Sequence, residues 1–222
     1  MDKRSGKDGV SVDWILDLIN PGTSPSQLTH IYDQICTKYD KNAASLNYEG
    51  PAIAAEEIAR MIPEEQRQQV RVLDVAAGTG WVGSQLHQKG FTNIDAVEPS
   101  GGMMNILNNT GVYTRKYQEF IGFGQCTVAK DSYDVVVVCG SLCRGHIPVE
   151  GINYMIQVAK PGGLVVILMR KECLLTAEEY KDKLEAHMDH LQKTNVWQKE
   201  VKKTVANYFC GKEGTVFIYR VL

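Results

Sequence analysis

Two stretches of this chain, Val135-Val-Val-Val138 and Leu164-Val-Val-Ile-Leu168, are apolar at every position. A strand with one wet face alternates, whereas a strand buried on both faces reads as a continuous apolar run. These runs therefore require a sheet covered by helices on both sides, which implies parallel strands joined by helical crossovers. The surrounding pattern agrees. Strands are expected at Arg71–Val75, Asn93–Val97, Tyr113–Gln118, Tyr133–Val138 and Gly163–Met169. Helices are expected between them at Trp81–Lys89, Gly101–Asn108 and Val149–Ala159. Lys160-Pro-Gly-Gly163 reads as a turn between helix and strand.

The ends differ from this alternation. Residues 1–65 read as a helical flank, expected to form a lid over cofactor and substrate: Ser11–Ile19 has helical spacing, a second helix starts at Ser24, and Pro51 opens a third. Asn20-Pro21-Gly22 breaks the first two apart. Residues 66–222 form the main α/β unit. Near its end, Thr176 is expected to cap a long charged helix reaching Lys193, with Tyr180, Leu184, Met188 and Leu191 inward. Two final strands, Val196–Tyr208 and Thr215–Val221, flank a hairpin turn at Gly211-Lys-Glu-Gly214.

The chemistry lies in the first crossover. Val70-Arg-Val-Leu-Asp-Val-Ala-Ala-Gly-Thr-Gly80 carries an acid, Asp74, near the strand end, and a second strand delivers Glu98. Gly78-Thr-Gly80-Trp-Val-Gly83 is literally G-x-G-x-x-G, which taken alone points to a dinucleotide and an NAD-type oxidoreductase. Charge argues otherwise. A carboxylate aimed into the loop would repel a pyrophosphate by about a few kcal/mol for each like-charge pair at an effective dielectric near 20, and no Lys or Arg lies in the loop. S-adenosylmethionine is an ammonium and a sulfonium without phosphate, and it suits an acidic loop. Small residues at Ala76, Gly78 and Gly80 admit its amino-acid tail and ribose. Glu98 has acceptors for both ribose hydroxyls, and Met103 can pack on the adenine. Each acid also has an ordinary structural reading, Asp74 as a helix cap and Glu98 as a strand exit.

Four motifs together resemble the class I, Rossmann-like S-adenosylmethionine-dependent methyltransferases: Val-Leu-Asp-Val-Ala-Ala-Gly-Thr-Gly, Val-Glu-Pro-Ser, Ser-Tyr-Asp-Val-Val-Val-Val and Ala-Lys-Pro-Gly-Gly. His30-Ile-Tyr-Asp33, Lys38-Tyr-Asp40 and Gly140…Gly145-His-Ile-Pro148 are similar to the methyltransferase-like family named after the Williams–Beuren syndrome chromosome region. The resemblance implies a seven-stranded, mostly parallel sheet with an antiparallel last strand. It implies that Asp74, Ala76, Gly78 and Gly80 line the methionine part and Glu98 holds the ribose. Ser100, Met103, Ile121 and Gly122 would flank the base, Gly140 and Ser141 would lie near the sulfonium, and Tyr39 would close over the carboxylate. Ala76 departs from the more usual glycine and is tolerable if its φ is negative. Phe120-Ile-Gly-Phe-Gly124 lacks the acid that many relatives place against the adenine amino group.

The expected activity is methyl transfer, class 2.1.1, with S-adenosylhomocysteine as product and a small molecule or a protein side chain as acceptor. A cofactor-binding module without turnover is the third reading, because the sequence names no obligatory base. His146 is a candidate general base, and Tyr48 and Arg144 are further substrate-pocket candidates. Cys139-x3-Cys143-x2-His146 lacks the second ligand pair of a zinc site, so no metal is expected. The net charge of −2 gives no basic field for nucleic acid or an anionic membrane. Lys199, Lys202 and Lys203 read as a solvated strand face. Six cysteines without a dense framework read as reduced thiols. The absence of a leader or apolar span points to the cytoplasm, with the nucleus also open, and a monomer is the favoured state.

Overall fold

The computed structural model describes residues 11, 13–19, 22–123 and 127–222. Helices α1 (Pro25–Ser45) and α2 (Gly50–Met61) precede a regular alternation of β1 (Arg71–Val75), α3 (Trp81–Gln88), β2 (Asn93–Val97), α4 (Gly101–Asn108), β3 (Tyr113–Tyr117), β4 (Tyr133–Cys139), α5 (Gly151–Val158) and β5 (Ala159–Arg170). Helices α6 (Lys171–Thr176) and α7 (Leu184–Lys193) lead to β6 (Trp197–Phe209) and β7 (Lys212–Val221). The sheet order is β3-β2-β1-β4-β5-β7-β6. All neighbours from β3 to β5 are parallel, and β7 enters antiparallel between β5 and β6. The expected seven-stranded Rossmann-like sheet is thus the observed one.

The apolar runs divide between two cores as their strand period requires. Val136, Val138, Val165 and Ile167 join the cluster on one face, and Val135, Val137, Leu164 and Val166 join the other. Each of these eight side chains is at most 2% exposed. Burying a side chain of this size contributes about 1.5–3 kcal/mol, so the central strands dominate the stability of the body. Helix α2 belongs to that body: Ala54, Ala55 and Ile58 are inside the second core.

Four elements differ from expectation. Between Ser11 and Ile19 only a 3-10 turn forms, at Leu16–Leu18; Val12, Asn20 and Pro21 lie outside the described residues. An isolated segment this short cannot sustain a helix, and it is held instead by Trp14 against Tyr39 and by Asp13 on Arg170. Helix α1 begins at the predicted cap, with a full capping box at Ser24 and Gln27, and runs to Ser45.

Lys160-Pro-Gly-Gly163 is part of β5 rather than a separate turn. It is a bulged start, because pairing shifts register between Tyr133↔Ala159 and Val135↔Leu164. The long helix after Thr176 is two helices. Thr176 ends α6, donating its hydroxyl back to the Glu172 carbonyl, and Asp182 takes a φ of 60° before α7. Tyr180, in the gap, donates its hydroxyl to the Ile147 and Cys143 carbonyls. That anchoring bends the chain away from a continuous helix while keeping Tyr180, Leu184, Met188 and Leu191 buried. Finally, the hairpin turn is Cys210-Gly211, both at positive φ, and not the four residues from Gly211. Two successive positive φ values match the strand twist of a tight hairpin.

Candidate functional site

In an open α/β sheet, ligands bind beyond the carboxyl ends of strands where the strand order reverses. Here that point is the gap between β1 and β4, and the principal cleft lies over it. The cleft encloses about 1040 Å³, counting open solvent at its mouth, and its walls include Ala76, Gly78, Glu98, Met103, Gly140 and His146.

The loop after β1 is built from left-handed backbone. Ala76, Gly78 and Gly80 have φ of 53°, 59° and 94°. The condition that Ala76 keep a negative φ is not met. A left-handed non-glycine residue costs about 1–2 kcal/mol, and the loop carries that strain at the cleft wall. A Cβ on Gly78 would meet nothing within 4 Å, so its glycine answers to backbone angle alone. Gly80 and Gly83 answer to packing: a Cβ would stand 3.0 Å and 2.3 Å from the Tyr113 ring. The third glycine of the literal G-x-G-x-x-G therefore seats α3 against Tyr113.

Glu98 is the carboxylate of the cleft. Its Oε2 accepts the Gly78 N–H and its Oε1 accepts the Ser100 N–H, both at 2.8 Å. Burial pushes it up to about 7, against the lowering effect of those two N–H groups. Asp74 behaves differently. It is 1% exposed, accepts the Tyr113 hydroxyl at 2.6 Å, and does not line the cleft. Burial likewise pushes it up to about 7. The acid that aims into the cleft is Glu98, and Asp74 braces the loop from beneath.

The other expected positions divide in the same way. Tyr39, Tyr48, Ala76, Gly78, Glu98, Ser100, Met103, Ile121, Gly140, Ser141 and His146 come together in the cleft wall. Gly80 and Gly122 do not: Gly122 sits behind the wall against Pro148. Arg144 also fails to reach the cleft. Its side chain is exposed, and its carbonyl instead takes part in orienting His146.

Three residues that tie α1 to the cleft lie in the motifs of the family resemblance but receive no individual role there. Asp33 Oδ1 accepts the Ser100 hydroxyl at 2.6 Å and the Gly102 N–H at 2.8 Å, capping α4 from α1. Asp40 Oδ1 accepts the Thr79 hydroxyl at 2.6 Å. Two acids of α1 thus stitch it to the loops after β1 and β2. Their i, i+7 spacing was the available signal, since it sets both on one helix face. Tyr32 is the third: its hydroxyl lies 2.6 Å from His146 Nε2.

A smaller second cavity adjoins the cleft and shares Tyr32, Tyr39, Tyr48 and Gly140 with it. Trp14, Tyr208, Phe209 and Arg170 complete much of its wall. Arg170 lies over the Phe209 ring at 4.8 Å and pairs with Asp13 at 2.8 Å. The Tyr48 hydroxyl is 3.4 Å from both Cys139 Sγ and the Tyr208 hydroxyl, and burial pushes the Cys139 thiol up to about 12. Gly140, at φ 83°, leaves room for Tyr48, whose hydroxyl would be 2.4 Å from a Cβ there.

The charge of the cleft is set by one acid and no cation. Among the described residues no Lys or Arg lines the principal cleft, while Glu98 does. A pyrophosphate would find no cationic side chain there, and Glu98 offers its acceptor oxygens to ribose hydroxyls. The tail lysines offer no free basic patch: Lys199 pairs with Asp189, Lys202 with Glu185 and Lys203 with Glu57. No cluster of His, Cys, Asp or Glu fit to hold a metal occurs among the described residues. Nor is any described helix long and apolar enough to cross a membrane.

Residues 46–211 match the family model described as a methyltransferase domain. Methyltransferase-like protein 27 from Homo sapiens is 31% identical over 173 residues, which span 78% of this chain and 69% of that protein. A demethylmenaquinone methyltransferase from Clavibacter sepedonicus is 26% identical over 64% of this chain and 58% of its own length. Among solved structures, a TehB-like SAM-dependent methyltransferase from Corynebacterium glutamicum superposes with a TM-score of 0.61 at 14% identity, covering 86% of this chain and 98% of that one. An S-adenosylmethionine-dependent methyltransferase from Mesorhizobium loti gives 0.54 at 15% identity, covering 75% and 97%.

Proposed function

This chain belongs to the methyltransferase domain family, with the class I fold and S-adenosylmethionine as methyl donor, and from that premise we propose that it methylates a small molecule. The carrying observation is the second cavity, joined to the cofactor cleft at Tyr32, Tyr39, Tyr48 and Gly140 and walled by α1 and the N-terminal segment. Such a site suits a compact acceptor that enters whole, better than a side chain tethered to a folded protein.

The cleft residues fit the donor. Glu98 accepts one N–H on each oxygen and keeps acceptor capacity on both for the ribose hydroxyls. Ala76 and Gly78 face the amino-acid part. Ser100, Met103 and Ile121 flank the adenine. Tyr39, whose hydroxyl makes no hydrogen bond among the described residues, is free to meet the carboxylate tail. Gly140 and Ser141 border the sulfonium. Asp74, Gly80 and Gly122 support these walls from behind. The bound donor supplies an electrophilic methyl group on a positively charged sulfur, and the protein contributes chiefly position and exclusion of water.

The flank divides by function in this reading. Helix α1 and residues 13–19 form the lid, latched through Asp33 and Asp40, while α2 belongs to the body. Calorimetric titration with S-adenosylhomocysteine tests the donor site, and micromolar-range binding is expected. Cell extract incubated with the protein and methyl-labelled donor tests the acceptor. Label should appear in the low-mass fraction; label confined to protein or nucleic acid would overturn the small-molecule reading.

A further inference from the structure

We propose that the acceptor is a planar molecule with a weakly acidic hydroxyl or thiol, and that Tyr32, backed by His146, takes its proton during transfer. The inference rests on the methyltransferase reading above and names the substrate class and proton path of that same site.

The cavity wall argues the class. Trp14, Tyr32, Tyr39, Tyr48, Tyr208 and Phe209 surround it with ring faces and edges, which favour a flat apolar body. Its one charged wall residue among those described is Arg170, a cation. Arg170 disfavours an ammonium guest and favours an oxygen or sulfur that gains negative charge as it reacts, even with Asp13 pairing one side of the guanidinium.

The geometry around His146 argues the proton path. Its Nδ1 lies 2.8 Å from the Arg144 carbonyl, which can only accept, so Nδ1 carries the hydrogen of the neutral ring. Nε2 then presents a lone pair to the Tyr32 hydroxyl at 2.6 Å. Burial lowers His146 from its ordinary value, so the ring is neutral and able to accept at neutral pH. The groups facing it are Tyr32 from α1, Cys143 from its own loop and Glu98 from the β2 exit, whose charge favours the imidazolium once formed.

Atoms and electrons balance without a further reactant. The acceptor's O–H or S–H proton passes to the Tyr32 oxygen as the Tyr32 proton passes to His146 Nε2. The acceptor's electron pair forms the bond to the methyl carbon, and the carbon–sulfur bond breaks with its pair returning to sulfur. A neutral thioether leaves, and the imidazolium releases its proton to solvent. Tyr32 is the catalytic residue and His146 the positioning residue behind it.

The test uses the full chain and three probes: para-methoxyphenol, para-methoxythiophenol and benzylamine, the last a cation at neutral pH. With S-adenosylhomocysteine bound, calorimetry should detect the phenol or thiophenol and not benzylamine. With S-adenosylmethionine, the phenol or thiophenol should be methylated. For para-methoxyphenol, Tyr32→Phe should lower kcat about a hundredfold, the scale of general-base assistance, while leaving KM nearly unchanged. His146→Ala should lower kcat similarly and shift its pH profile. Both losses should shrink for para-nitrophenol assayed above neutral pH, where it is largely ionised. Binding and methylation of benzylamine alone would overturn the substrate class. Failure of all three probes in a chain that binds S-adenosylhomocysteine would do the same, while leaving the donor reading intact. Equal losses in Tyr32→Phe for both phenols, or no loss, would overturn the proton path. A chain that binds no S-adenosylhomocysteine overturns both readings together.

Discussion

Tyr113 donates its hydroxyl to Asp74 Oδ2 at 2.6 Å while accepting the Gly83 N–H at 3.0 Å, so one phenol ties the acid of β1 to the first turn of α3. The bond turns Asp74 away from the cleft and closes the space beneath the loop. Tyr113→Phe removes both partners at once. It should destabilise the fold by about 1–3 kcal/mol, the cost of buried groups left unsatisfied, read as a lower midpoint in chemical denaturation. An unchanged midpoint would show that water replaces the phenol.

Glu98 links the cleft to pH. Its folded value of about 7 lies above the ordinary 4.5. Between those two values the unfolded chain has released a proton that the folded chain retains, so this residue's contribution to stability falls as pH rises through that window. Asp33 and His146 face it as well, the first raising and the second lowering its affinity for a proton. In Glu98→Gln the fall disappears. The stability of the variant relative to the parent should therefore rise steadily from about pH 4.5 to 7, measured by denaturation at fixed salt. A flat difference would mean that Glu98 titrates normally.

Asp33→Ala removes the acceptor shared by Ser100 and Gly102. It should cost about 0.5–2 kcal/mol, as for the loss of a helix cap. It should also weaken S-adenosylhomocysteine binding, because α1 loses one of its two side-chain ties to the cleft loops. Binding as tight as the parent's, alongside lost stability, would confine Asp33 to a capping role.

Gly140→Ala meets two obstacles, a φ of 83° and the Tyr48 hydroxyl 2.4 Å from the new carbon. The backbone part alone costs about 1–2 kcal/mol. Removing that hydroxyl in the double variant with Tyr48→Phe should restore part of the loss, since the next Tyr48 ring atom stands at 3.5 Å. The thermal midpoints of the two single variants and the pair form a cycle that isolates the clash. Simple additivity would place the whole cost in the backbone.

Much of the site was legible because its signals are local. The backbone angle of Gly78, the acid ending β2 and the Ser100 cap follow from short-range geometry, and Ala76, Gly78, Glu98 and Ser100 line the cleft. Asp74 read wrongly as a cleft acid, because nothing local reveals that Tyr113, 39 residues on, would claim it. The dyad of Tyr32 and His146 joins residues 114 apart. Arg144 and His146 stand two residues apart, yet one is exposed and the other lines the cleft.

The sequence by itself determined the parallel sheet, because doubly buried strands need unbroken apolar runs, and it determined a loop after β1 made of small residues without a cation. Tertiary structure decided which acid faces the cleft, where the helix after Thr176 breaks, and which tyrosine meets His146. Those outcomes depend on side chains brought together from distant segments. Desolvation and hydrogen bonding act on such groups only once the chain has closed around them.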